Sequence, residues 1–162
     1  RQIGNNLVVP IYEETGSIVN LQYISPEGRK WFEKGAPKKG CYGKVGKSVT
    51  DDAYLCEGYA TAVSLHLHTN QTVFWGIDAG NLVPAAQKLK SLYSEVCFTV
   101  CADNDRYHIC GENVGLVEAE KAQLVFSSKH IWFPHFRCTH ADCTDFNDWV
   151  NCAEGGNKND EV

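Results

Sequence analysis

The sequence predicts an α/β domain with a mostly parallel sheet covered by helices on both faces, preceded by a small β-rich subdomain. Three observations carry this. From Asp52 onward, short apolar runs alternate with helix-compatible segments, as βαβ units require. Before that point, short strand candidates are separated by a turn and a Gly- and Lys-rich loop. The charge divides at the same place. Residues 1–50 carry eight Lys/Arg against four Asp/Glu, and residues 51–162 carry seven against sixteen.

The amino-terminal part opens with two strand candidates, 7–12 and 17–24. Glu13-Glu14-Thr15-Gly16 between them reads as a hairpin turn. Pro10 lacks an N–H and predicts that the first strand lies at a sheet edge. Lys30-Trp31-Phe32 is a third short strand, and 34–48 is a loop with a brief strand around Tyr42. The alternation then predicts strand 52–56, helix 58–69, strand 72–77 and helix 84–93, with Pro84 in its first position. Strand 96–102, a helix over 114–126, strand 130–133 and a short helical turn over 145–150 complete it. Expected boundaries are a basic β-rich subdomain over 1–50, a larger α/β domain over 51–153 and a flexible polar tail over 154–162.

Composition excludes several classes. Of the 162 residues, 43% are apolar, too many for a disordered chain. No run approaches the ~18 apolar residues of a membrane span. The chain opens on Arg1 and shows no secretory signal, so we expect a fragment of a larger, cytoplasmic protein. Its eight cysteines include no CxxC pair. Cys56, Cys97 and Cys101 fall in apolar runs, where cysteine behaves as a small hydrophobe, and we expect reduced thiols. The spacing of His135, Cys138, His140 and Cys143 fits no common structural zinc pattern and leaves zinc binding there open. His66 and His68 are two apart on a helix, so they diverge and read as surface or packing residues. Gly43 to Ser48 suggests a P-loop, but the first glycine of that motif is Cys41 here.

The acidic residues hold the chemistry. Glu57 follows the run 53–56, and Asp103-Asn104-Asp105 follows the run 96–102. Carboxylates at the carboxyl ends of neighbouring parallel strands converge on one crevice. There they repel unless a proton or cation intervenes, and a hard divalent ion suits oxygen ligands. Asp103 and Asp105, two residues apart at a strand end, can point the same way. Asp145 and Asp148 are further candidate ligands. Asp78 also follows a strand, but a turn-forming role accounts for it. Lys30, Lys34 and Lys44 are candidate phosphate contacts in the basic segment, and Trp31 or Phe32 can stack on bases while the other packs inward.

These residues resemble a known family. Cys56-Glu57-Gly58-Tyr59-Ala60-Thr61, followed by Ala102-Asp103-Asn104-Asp105, is similar to the Toprim domain of bacterial-type primases, topoisomerases and some nucleases. Segments 57–62, 76–82, 101–106 and 144–149 resemble the phage- and plasmid-encoded primase variety. Segments 7–24, 28–35 and 41–43 resemble the basic subdomain that precedes Toprim in DnaG-type primases. The resemblance implies a Toprim fold and magnesium or manganese at Glu57, Asp103 and Asp105. It also implies synthesis of short RNA primers from nucleoside triphosphates on single-stranded DNA, with a replicative helicase acting in cis or in trans, in a bacterial host cell. A Toprim nuclease and a non-catalytic nucleic-acid-binding module are the alternatives. The chain departs from the family in two places. Arg106 to Gly111 intervenes where Ala-Gly usually follows the DxD, and Thr61 stands where some relatives have Asp.

Overall fold

A computed structural model describes residues 1–105, 113–127, 131–140 and 142–152. The first sheet is antiparallel with order β1-β2-β3-β4, comprising β1 (Gln2–Ile3), β2 (Asn6–Tyr12), β3 (Ile18–Ile24) and β4 (Lys30–Phe32). The second comprises β5 (Gly43–Val45), β6 (Asp52–Cys56), β7 (Thr72–Trp75), β8 (Cys97–Cys101) and β9 (Ile131–Trp132), in the order β5-β7-β6-β8-β9. Only β5 runs antiparallel to its neighbour; β7, β6, β8 and β9 are mutually parallel. This is the mixed α/β architecture expected, with a separate antiparallel sheet before it.

Alternation along the parallel strands feeds two cores. Ala53, Leu55, Phe74, Phe98 and Val100 face α2 (Ala79–Leu92) and α3 (Val114–Phe126). Stacked and tilted rings of Phe74, Phe98 and Phe126 run through this layer. Cys56, Val73, Trp75 and Cys101 face the other way, toward α1 (Tyr59–Thr69) and α4 (Phe146–Asn151). Val9 and Ile11 of β2 join this second core, so the antiparallel sheet is anchored by apolar burial. His68 packs between Trp132 and Trp149, and His66 bonds the Gln71 carbonyl at 2.6 Å, so both histidines serve packing and local structure. Cys97, by contrast, is exposed.

Two prolines sharpen the sequence reading. β2 lies inside its sheet, yet β1 reaches only to its residues Asn6 and Leu7. Val8 N–H donates to Arg1 and Tyr12 N–H to Tyr42, both away from β3. Pro10 sits between them, where its missing N–H costs no ladder bond. Pro84 does not open its helix. The Asp78 carboxylate accepts the Asn81 N–H at 3.1 Å and starts α2 at Ala79, placing Pro84 inside it.

Asn81 ties the loop leading out of the first sheet to the parallel sheet. Its Oδ1 accepts from Gly40 N–H at 2.7 Å, and its Nδ2 donates to the carbonyls of Cys41 at 2.9 Å and Gly76 at 2.7 Å. Just after that loop, Gly43 of β5 pairs with Trp75 of β7, and a Cβ on Gly43 would lie 1.9 Å from the indole. Between β7 and α2, Ile77 holds φ +80°, a costly conformation for a β-branched residue. Gly76, fixed by Asn81 and by its N–H bond to Cys56 at 2.9 Å, holds the turn against that strain. Asn81→Ala leaves one donor and two acceptors without this partner in a buried setting. We expect a loss of about 2–4 kcal/mol in urea unfolding, against under about 0.5 kcal/mol for the exposed control Gln87→Ala.

Candidate functional site

The carboxyl ends of β6 and β8 bring Glu57, Asp103 and Asp105 together, with Asp145 joining from the amino terminus of α4. In the acidic triplet the side chains divide. Asp103 and Asp105 add to the negative field of the crevice. Asn104 braces the surrounding loops: its N–H donates to Thr144 at 2.6 Å and its Nδ2 to Pro134 at 2.9 Å. Asn113, the cap of α3, donates to the Asn104 side chain at 3.2 Å.

α3 begins beneath these acids. Gly115 N–H donates to Asp105 Oδ2 at 3.3 Å. A Cβ on Gly115 would lie 3.1 Å from the Asp103 carbonyl and 3.3 Å from Asp105 Oδ2. Gly115 therefore lets the start of α3 lie close against both acids. The intervening stretch Arg106 to Gly111 lies outside the described residues, as does the tail 154–162.

Asp145 caps α4, accepting from Asp148 N–H at 2.9 Å and from the Thr61 hydroxyl at 2.8 Å. Thr61 is buried, and the position where some relatives carry an acid here orients another acid instead. Asp148 Oδ2 accepts the N–H groups of Thr144 at 2.9 Å and Asp145 at 3.3 Å, closing a capping box. Asp148 is thus engaged in holding the helix start. Asp78 caps α2 and adds its negative charge to the field on Glu57, which the backbone N–H of Ala79 partly offsets.

Burial and crowding raise the carboxyls. Asp103 is pushed up to about 8 by burial first and then by Glu57, Asp145 and Asp105. Glu57 is raised by burial, Asp105 and Asp78. Asp145 is raised by burial, against the lowering bonds from Asp148 N–H and Thr61. The ammonium of Lys30 on β4 draws Glu57 and Asp103 part of the way back. Asp103 Oδ1 is buried without a hydrogen-bond partner among the described residues. A buried carboxyl oxygen left bare among other carboxylates suits either a proton or a hard divalent cation, and the all-oxygen donor set fits magnesium or manganese.

The basic candidates separate. Lys30 faces the crevice. Lys34 is exposed just after β4, and Lys44 lines a different cavity with Tyr12, Tyr42 and Tyr93. Trp31 is exposed and stacks on Tyr23 at 5.5 Å, while Phe32 packs on the core with Lys38 Nζ 3.8 Å from its ring centre. Sequence reasoning missed Thr61, Asn104, Asn113 and Gly115 as builders of the site.

Asp103 predicts a pH signature. The native chain keeps this proton where the unfolded chain, titrating near pH 4, has lost it, so this residue's contribution to stability declines as pH rises from about 4 to about 8. In chelator-treated protein, Asp103→Asn should flatten that decline. It should also add on the order of 5 kcal/mol to urea stability at pH 8, while changing little at pH 4.

Comparisons with known proteins agree with this geometry. No protein-family model matches the chain. It is 30% identical over 139 residues to a DNA primase TraC of Escherichia coli, covering 82% of this chain and 10% of that protein. A second Escherichia coli DNA primase TraC is 30% identical over 141 residues, covering 83% and 13%. The chain thus spans about a tenth of the length of these relatives. In fold it matches the primase fragment of the bacteriophage T7 primase-helicase protein with a TM-score of 0.61 at 11% identity, covering 88% of this chain and 56% of that one. It matches a DnaG primase catalytic domain bound to single-stranded DNA with a TM-score of 0.54 at 15% identity, covering 90% and 47%. The chain is thus similar to one segment of the TraC primases and shares the fold of these primase domains.

Proposed function

We propose that this chain is the catalytic core of a primase, joining nucleoside triphosphates into short RNA primers on single-stranded DNA. The observation that carries this is the convergence of Glu57, Asp103, Asp105 and Asp145 around the unpartnered Asp103 Oδ1, with Lys30 at the rim. The likeness to TraC and to primase catalytic domains supports it. The helicase joined to the T7 primase fragment suggests a helicase partner for this chain, in cis or in trans.

Asp103 and Asp105 would hold magnesium or manganese, with Glu57 and Asp145 as the remaining candidates. Asp148, bound into its capping box, would act by orienting Asp145. When bound, the ions would neutralise charge on the reacting phosphate and on the attacking and leaving oxygens. Glu57 is a ligand or the acceptor of the 3′-hydroxyl proton; its raised affinity for a proton suits the second role. Lys30, whose charge already acts on Glu57 and Asp103, would meet a phosphate that enters the crevice. Trp31 and Tyr23 offer a stacking surface for bases on the same small sheet. Lys34 and Lys44 would contact phosphates farther out.

The test is incubation with single-stranded DNA, labelled nucleotides and manganese. Labelled oligonucleotides that fall at least about a hundredfold with Asp103→Ala or Asp105→Ala are expected. Shortening of the template would instead indicate a nuclease, and binding without either reaction a non-catalytic module. Manganese binding in the presence of nucleotide, followed by electron paramagnetic resonance, reads the site independently of turnover and should be lost in both variants. Lys30→Ala should reduce the slope of log affinity for single-stranded DNA against log salt by about 0.7.

A further inference from the structure

At the other end of α4 from Asp145, a second cluster has different chemistry. Cys138, His140 and Cys143 come from the loop between β9 and α4, and Cys152 is the carboxyl-terminal cap of α4. One ligand atom from each lies within 4.8 Å of all the others. Cys152 Sγ stands 3.7 Å from His140 Nδ1. Zinc–sulfur bonds of about 2.3 Å and zinc–nitrogen bonds of about 2.0–2.1 Å put tetrahedral ligand atoms about 3.6 Å apart. The cluster is therefore already close to that tetrahedron. His135, adjacent in sequence, is not part of it and packs against Phe133 at 4.8 Å.

We propose that Cys138, His140, Cys143 and Cys152 bind one zinc ion in a structural Cys3His site. Soft thiolates select zinc over magnesium or manganese, and four protein ligands leave no position open for a reacting group. Binding releases the three thiol protons. Residues 133–140 and 142–145 carry no strand or helix, and α4 has six residues, far below the ~12–15 needed for an isolated helix. Four converging ligands also exceed what a single disulfide uses. Zinc here joins the loop to the end of α4 and fixes the helix whose first residues present Asp145 to Thr61. The site is independent of the proposed primase reaction.

The experiment loads the reduced 162-residue chain with zinc or cobalt(II) alone, removes excess metal and counts metal by mass spectrometry. One zinc per chain is expected, together with the intense visible absorption of tetrahedral cobalt thiolate, abolished by added zinc and unmoved by excess magnesium. Cys152→Ser should lose zinc to a chelator that the unaltered chain resists, whereas Cys97→Ser, at an exposed thiol outside the cluster, should retain it. Asp103→Ala should also retain it, which separates this site from the carboxylate crevice. The cobalt spectrum of the unaltered chain is informative even if a ligand variant fails to fold. Absence of retained zinc, an octahedral cobalt spectrum, equal zinc loss by Cys97→Ser, or a disulfide within the cluster that persists in reductant would overturn the proposal.

Discussion

Like charges crowded at one sheet edge set the terms for the rest of this structure. Asp103, raised to about 8, would cost on the order of 5 kcal/mol to ionise in place at high pH, before any counter-ion arrives. That approaches the whole margin of a small domain, ~5–15 kcal/mol. The cost arises because parallel strands β6 and β8 end side by side and deliver Glu57 and Asp103 to the same half-buried place. A fold that keeps such a crevice needs stabilisation elsewhere and a means of lowering its field. Protons, Lys30 and divalent cations are three ways of lowering it, and they compete for the same oxygens.

The stabilisation lies in a ring of polar residues around the acids. Asn104 and Asn113 join the loop after β8 to the start of α3 and to the chain before α4. Thr61 and the capping box hold Asp145. Asn81 joins the first sheet's exit loop to the turn at Gly76, and Asp78 starts α2 beside Glu57. Each bond is modest, about 1 kcal/mol net, yet breaking one strands a buried group. The basic sheet belongs to this scaffold as well, since Val9 and Ile11 seat it on the α1 side of the parallel sheet and β4 presents Lys30.

Much of this could be read in the chain because local signals agree with the tertiary result. Apolar runs of strand length before Glu57 and Asp103 placed both acids at strand ends, and the helix expected over 114–126 is α3. Pro84 misled because proline favours a first helical turn, whereas the capping carboxylate of Asp78 lay farther upstream. Other features depend on distant pairs that no local pattern encodes. Thr61 meets Asp145 across 84 positions, and Cys152 reaches the Cys138–Cys143 loop only because α4 folds between them. Charge counting selected Lys30, Lys34 and Lys44 alike. Only the topology puts Lys30 over the acids and Lys44 in another cavity.

Gly115 has a consequence for how the protein tolerates change in length. What the crevice demands of α3 is a residue without a side chain against Asp103 and Asp105, not a set number of positions after the DxD. Loop-closure entropy grows only logarithmically, about 0.6 kcal/mol for each doubling of a flexible segment. Lengthening the connection between Asp105 and Asn113 is therefore cheap, while a side chain at 115 must displace backbone or a carboxylate. A change in the length of that connection therefore costs little, whereas a change of residue at 115 acts directly on the acids.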